Sequence, residues 1–131
     1  MKRILTYGTF DLLHYGHFNI LKNCKKLGDQ LIVGVSSDEF NALKGKTSVM
    51  TFEERKEFLD NIKYVDKVIK EENWEQKVND ILKYRIDVLV MGDDWKGQFD
   101  HLKEYCDVVY LPRTECISTT EIKKLLANNN N

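Results

Sequence analysis

The sequence predicts an α/β fold, a single domain in which a parallel sheet of about five strands carries helices on both faces. Three observations predict it. Short, almost continuously apolar runs such as Gln30-Leu31-Ile32-Val33-Gly34-Val35-Ser36 lack the apolar–polar alternation of a half-exposed strand and mark strands buried on both faces. Those runs alternate with stretches of helical periodicity, the arrangement of right-handed βαβ crossovers. The chain of 131 residues with 42% hydrophobic content supplies one core and too little length for two. No internal repeat or linker interrupts it, so one domain is expected over residues 1–127, followed by a frayed Asn-rich tail at 128–131.

Taken in order, Ile4-Leu5-Thr6-Tyr7 is the first strand, and Gly8 to His17 forms the loop and first turn of a helix whose apolar face is Ile20, Leu21, Cys24 and Leu27. The second strand is the run from Gln30 to Ser36. Asp38 to Met50 is polar, contains Lys44-Gly45-Lys46, and reads as a mobile loop. Thr51-Phe52-Glu53-Glu54 has capping-box spacing and opens a helix with Phe52, Arg55, Phe58, Leu59 and Ile62 along one side. Tyr64 to Ile69 is a third strand, and Trp74, Val78, Ile81 and Leu82 recur at helical spacing. Asp87 to Met91 is a fourth strand that stops at Gly92. A short helix around Leu102 to Tyr105 then leads to a fifth strand, Val108 to Leu111, ended by the only proline, Pro112. Ser118 and Glu121 repeat the capping-box spacing, and Ile122, Leu125 and Leu126 give the last helix a narrow buried stripe.

A formal net charge of -1 gives no general attraction to nucleic acid or membrane, so an anionic partner must be met by local clusters of Lys and Arg. No apolar segment approaches the roughly 20 residues that span a bilayer, and Met1-Lys2-Arg3 runs into a strand rather than a signal peptide; a cytoplasmic protein is expected. Cys24, Cys106 and Cys116 are odd in number and lack C-x-x-C spacing, which argues against disulfides and a zinc site.

In a sheet of this Rossmann-like kind, ligands collect beyond the carboxyl ends of the strands. There the chain places His14 and His17, Lys44 and Lys46, Gly92-Asp93-Asp94-Trp95, and Arg113 to Thr120. Two helix N-termini, two imidazoles and several cations are equipment for holding a polyphosphate and stabilising charge as one phosphorus is attacked. The serines and cysteines lack a base at readable spacing, so direct in-line displacement is expected rather than a covalent enzyme intermediate. His14 and His17 at i and i+3 also match a metal pair, although no third ligand is near; His101 reads as a solvated surface residue, and Trp74 and Trp95 as packing residues.

Gly8-Thr9-Phe10-Asp11 followed by His14-x-Gly16-His17 resembles the signature of the H-x-G-H nucleotidyltransferases, and Arg113-Thr114-Glu115-x-Ile117-Ser118-Thr119-Thr120 resembles their second signature as it stands in cytidylyltransferases. Together with Ser37 to Asn41, Tyr64-Val65-Asp66, Asn73 to Lys77 and Val90 to Trp95, the resemblance is to the small bacterial glycerol-3-phosphate cytidylyltransferase family and spans all but the tail. It implies transfer of CMP from CTP to sn-glycerol 3-phosphate, Mg²⁺ brought with the triphosphate rather than by a protein metal site, a homodimer, and a product that feeds a teichoic-acid or capsule-like polymer. It implies His14, His17, Lys46 and Arg113 as catalytic residues. It further implies nucleotide contacts from Thr9, Phe10, Tyr15, Gly16, Arg55, Asp94, Thr114, Glu115, Cys116, Ile117, Ser118, Thr119 and Thr120, and phosphoalcohol contacts from Lys44 and Lys77. The chain departs from the family pattern at Cys116, where glycine is usual, and at Lys63, where arginine is common. Another acceptor (ribitol, ethanolamine or choline phosphate) and a non-catalytic nucleotide-binding module remain open; a dehydrogenase is disfavoured because no G-x-G-x-x-G follows the first strand.

Overall fold

Why the apolar runs carry so few polar residues is plain from the sheet they form. In the computed structural model, which describes residues 1–112, β1 (Arg3–Gly8), β2 (Gln30–Ser36), β3 (Lys67–Glu71), β4 (Val88–Gly92) and β5 (Asp107–Leu111) form one five-stranded sheet. Its order is β3-β2-β1-β4-β5 and every pairing is parallel. Ile4, Leu31, Val33, Val35, Val88 and Val90 face one layer, where α1 (Tyr15–Lys26) and α3 (Phe52–Asp60) contribute Leu21, Cys24, Phe52 and Leu59. Alternate residues Leu5, Tyr7, Ile32, Leu89 and Met91 face the other layer, where α4 (Gln76–Lys83) contributes Ile81 and the 3₁₀ turn at 100–104 contributes Leu102. With cores on both faces the strands need apolar side chains at odd and even positions alike. The chain builds outward from β1 to β3, then crosses to β4 on the other side of β1, so the order reverses between β1 and β4, the place where such sheets open a crevice.

Gly34 shows how tightly the second layer is filled: a Cβ there would lie 2.3 Å from Cδ1 of Tyr7, its partner across the ladder. The Tyr7 hydroxyl donates to Asp80 at 2.6 Å, which ties β1 to α4; burial and the adjacent carboxylate push that phenol well above its ordinary pKa.

The structure corrects four sequence expectations. Residues 38–43 are not loop but a helix, α2 (Asp38–Leu43), capped by Ser37, whose hydroxyl accepts from Phe40 N–H at 3.0 Å, with Asp38 and Glu39 favourably placed in its first turn. Its only large anchor is Phe40, too little to produce a periodic signal. The third strand lies at Lys67–Glu71 rather than at 64–69, and the segment near 102 is a 3₁₀ turn, not an α-helix. Phe58 and Leu82, expected on buried sides, are 56% and 59% exposed. The helix expected after Ser118 and the tail at 128–131 lie outside the described residues.

Candidate active site

β1 ends at Gly8, and the loop after it is bent by two non-glycine residues in the left-handed region, Phe10 (φ 53°) and Leu12 (φ 49°). Contacts of Phe10 and Asp11 hold the loop in place. The Phe10 ring lies on Gly8, where a Cβ would approach its Cε2 to 2.8 Å, and the buried Asp11 carboxylate accepts from the Val49 and Met50 amides at 2.8 and 3.0 Å. Asp11 therefore clamps the segment after α2 beside the start of α1.

The first turn of α1 is a capping box in which both partners are histidines. His14, the N-cap, accepts through Nδ1 from Gly16 N–H at 3.0 Å and also takes the His17 amide, while His17 Nδ1 accepts from His14 N–H at 3.3 Å. A ring nitrogen that accepts carries no proton, so the geometry assigns the Nε2–H tautomer to both rings. Their centroids are 4.1 Å apart. Burial, the neighbouring His14 and a partly opposing Asp11 bring His17 down to about 4, and burial lowers His14 as well. Near neutral pH this is a pair of neutral Nε2–H donors. The helix amides expected to meet an anion directly are instead engaged by the His14 ring.

Both histidines line a cavity of about 660 Å³ beyond the carboxyl ends of the strands. Thr9, Phe10, Gly16, Lys44, Lys46 and Lys77 line it too, so the structure brings together most of the sequence-derived site residues it describes. Tyr15, Arg55 and Asp94 are not on its wall: Tyr15 is 68% exposed and Asp94 is exposed. Arg55, expected to add charge beside the phosphates, is fully buried instead. Its guanidinium donates to the carbonyls of Met50 (3.1 Å), Thr9 (2.9 Å) and Ser36 (2.7 Å) and to the Asp38 carboxylate (2.7 Å), joining the loop after β1, the end of β2 and the entry to α2. Arg113, Thr114, Glu115, Cys116, Ile117, Ser118, Thr119 and Thr120 lie outside the described residues.

Glu71 is the residue that sequence reasoning missed. Buried at the end of β3, its carboxylate accepts from Lys77 Nζ at 2.9 Å and from Ser36 Oγ at 3.1 Å, and Ser36 Oγ accepts from Lys44 Nζ at 2.9 Å. One carboxylate thus organises two lysines from different helical segments. Burial lowers the Lys44 pKa, and Glu71 works against that shift. Trp74 and Trp95, read as packing residues, both form cavity wall. Gln76 holds the turn that carries Trp74, accepting from Asn73 N–H at 3.1 Å and donating to the Lys70 carbonyl and to Asp80 at 2.9 Å each. The signal for Glu71 was weak, a lone acid at the end of an amphipathic strand. Lys63, a departure from the family pattern, is exposed and lies over the Tyr64 ring away from the cavity.

Comparison with known proteins gives a consistent picture. A model described as cytidylyltransferase-like matches residues 5–125. The chain is 60% identical over 128 residues to the glycerol-3-phosphate cytidylyltransferase of Bacillus spizizenii, covering 98% of this chain and 99% of that one. It is 56% identical to the protein of that name in Staphylococcus aureus, covering 96% of each. Among solved structures, the lipopolysaccharide core biosynthesis protein of Thermoplasma volcanium superposes with a TM-score of 0.76 at 27% identity, over 88% of this chain and 99% of that one. A sheet with this order, a histidine-capped first helix and relatives more than half identical along almost the whole length place the chain in the cytidylyltransferase-like family.

Proposed function

We propose that the protein transfers CMP from CTP to sn-glycerol 3-phosphate, giving CDP-glycerol and pyrophosphate. The observation that carries the reading is that one cavity holds two neutral imidazole donors at one wall and a carboxylate-organised lysine pair at another, equipment for two phosphorylated substrates. The names of the relatives just described supply the substrates. In this reading a phosphate oxygen of glycerol 3-phosphate attacks the α-phosphorus of CTP; the new P–O bond forms as the bond to the bridging oxygen breaks, and pyrophosphate leaves with that electron pair. His14 and His17 donate Nε2–H to oxygens that gain charge at the α-phosphorus, and Lys46 adds a cation there. Lys44 and Lys77 hold the acceptor phosphate. No side chain needs to become covalently attached. Arg113 to Thr120 are proposed to wrap the nucleotide.

Among the described residues no three His, Cys, Asp or Glu side chains gather into a metal-binding cluster, and the Asp11 carboxylate is engaged with two backbone amides. This donor set fits Mg²⁺ carried by the triphosphate, where the ion would neutralise phosphate oxygens. A cytoplasmic homodimer without nucleic-acid or membrane partners completes the proposal; no helix among the described residues is long and apolar enough to cross a membrane. The test is pyrophosphate release from CTP, Mg²⁺ and glycerol 3-phosphate, with ribitol, ethanolamine and choline phosphates as competing acceptors. Release fastest with glycerol 3-phosphate supports the proposal, and no release with any acceptor overturns it. Light scattering that gives a monomer at assay concentration overturns the dimer.

A further inference from the structure

We propose that Lys77 fills a cation cage with its own ammonium and thereby excludes phosphoalcohols with a cationic head from the acceptor end of the cavity; the inference rests on the transferase reading above. Lys77 Nζ lies 4.6 Å from the ring centroid of Tyr7 and 5.3 Å from those of Trp74 and Phe99, with Glu71 Oε2 at 2.9 Å. Three aromatic rings and a carboxylate around one point are the set that recognises quaternary ammonium groups, because ring quadrupoles attract a cation that has shed its water. All four residues line the cavity that also holds His14 and His17. Lys77 is 4% exposed and Glu71 matches it, so the occupant is held in place. Lys44 Nζ stands nearby, 4.5 Å from the Phe40 ring and 5.8 Å from that of Trp74.

A trimethylammonium or primary ammonium head entering here meets two like charges in a partly desolvated space, and the rings that would bind it are taken. A neutral polyol meets no such repulsion, since its hydroxyls accept from ammonium and donate to carboxylate. Lys77 is then a specificity-determining residue as well as a holder of the acceptor phosphate. Its truncation should convert the cage from occupied to vacant, leaving Glu71 to favour an incoming cation.

The test pairs kinetics with binding. Tryptophan fluorescence is titrated with tetramethylammonium chloride at constant ionic strength, and kcat/KM is measured with glycerol 3-phosphate and phosphocholine, in the parent and in Lys77→Ala. The parent is expected to show no saturable response. Lys77→Ala is expected to saturate, and its kcat/KM ratio of phosphocholine to glycerol 3-phosphate should rise about tenfold or more, the scale on which small pocket changes move specificity. If the buried Glu71 left behind prevents folding, Lys77→Ala combined with Glu71→Gln removes both charges and is titrated in the same way; it should still saturate, at higher ligand concentration. Absence of a saturable response in a folded variant, an unchanged ratio, or equal binding by the parent overturns the proposal. The titration needs no turnover, so the cage stands or falls even where the transferase reading fails.

Discussion

Replacing Arg55 by methionine separates two roles for a cation in this fold. Methionine keeps much of the apolar stem, but it strips four hydrogen bonds from a fully buried position: three to the carbonyls of Thr9, Ser36 and Met50 and one to Asp38. Hydrogen bonds to a charged group contribute about 1.5–3 kcal/mol each, which summed over four would exceed the stability of many domains. The four share one side chain and are not additive, and Asp38 is half exposed and can be rehydrated. Breaking a buried charged cluster typically costs about 3–5 kcal/mol, and that is the expected loss for Arg55→Met. With a urea m-value of about 2 kcal/mol/M, the unfolding midpoint should fall by about 2 M, followed by far-ultraviolet circular dichroism. Arg55→Lys should recover only part of it, because an ammonium cannot reproduce the planar fork. A midpoint within about 0.3 M of the parent, combined with a hundredfold fall in kcat/KM, would refute the reasoning and make the guanidinium a phosphate ligand.

Other outcomes follow from the same geometry. His14→Asn keeps an N-cap and should remain within about 0.5 kcal/mol of the parent, while His14→Ala should lose about 1 kcal/mol; both should lower kcat by orders of magnitude, since neither presents an imidazole Nε2–H, and near-parental kcat in either removes His14 from the chemistry. His17 titrates near 4 in the folded chain against 6.5 unfolded, so between those values the unfolded state binds more protons. The stabilisation is full above about pH 6.5, declines as pH falls toward 4, and is at most about 3 kcal/mol given partial exposure; His17→Gln should flatten that part of the urea-midpoint profile. Gly34→Ala should destabilise by about 1–3 kcal/mol, because its methyl group meets the Tyr7 ring, and a neutral result would mean that the ring can move aside. The Cys24 thiol, fully buried and pushed up to about 12, should resist alkylation until the chain unfolds, as read by mass spectrometry with and without denaturant.

Much of this was legible in the residues because the strongest signals are local. Buried parallel strands need apolar residues at every position, and the run from Leu31 to Val35 states that openly. The histidine pair was legible for the same reason: His14 and His17 are three residues apart and cap one another. What escaped was long-range. Arg55 at helical spacing on an apolar face looks like any cation near a phosphate site until the distant carbonyls of Thr9 and Ser36 converge on it with that of nearby Met50. Glu71 is separated from Ser36 by 35 residues, and no periodicity links them. The helix at 38–43 was hidden because its stability comes from the Ser37 cap and one buried phenylalanine rather than from a repeating stripe.

The capping box of α1 ties the order of the first helical turn to the order of the imidazole pair. Because the amides of Gly16 and His17 are held by His14, and the His14 amide by His17, unwinding the first helical turn disorders both imidazoles at once. On the proposed function, fraying of the first turn would remove the donor pair, and a phosphate held by that pair would restrain the turn. Protection of those three amides against solvent exchange is therefore expected to rise with site occupancy, readable residue by residue without following any product.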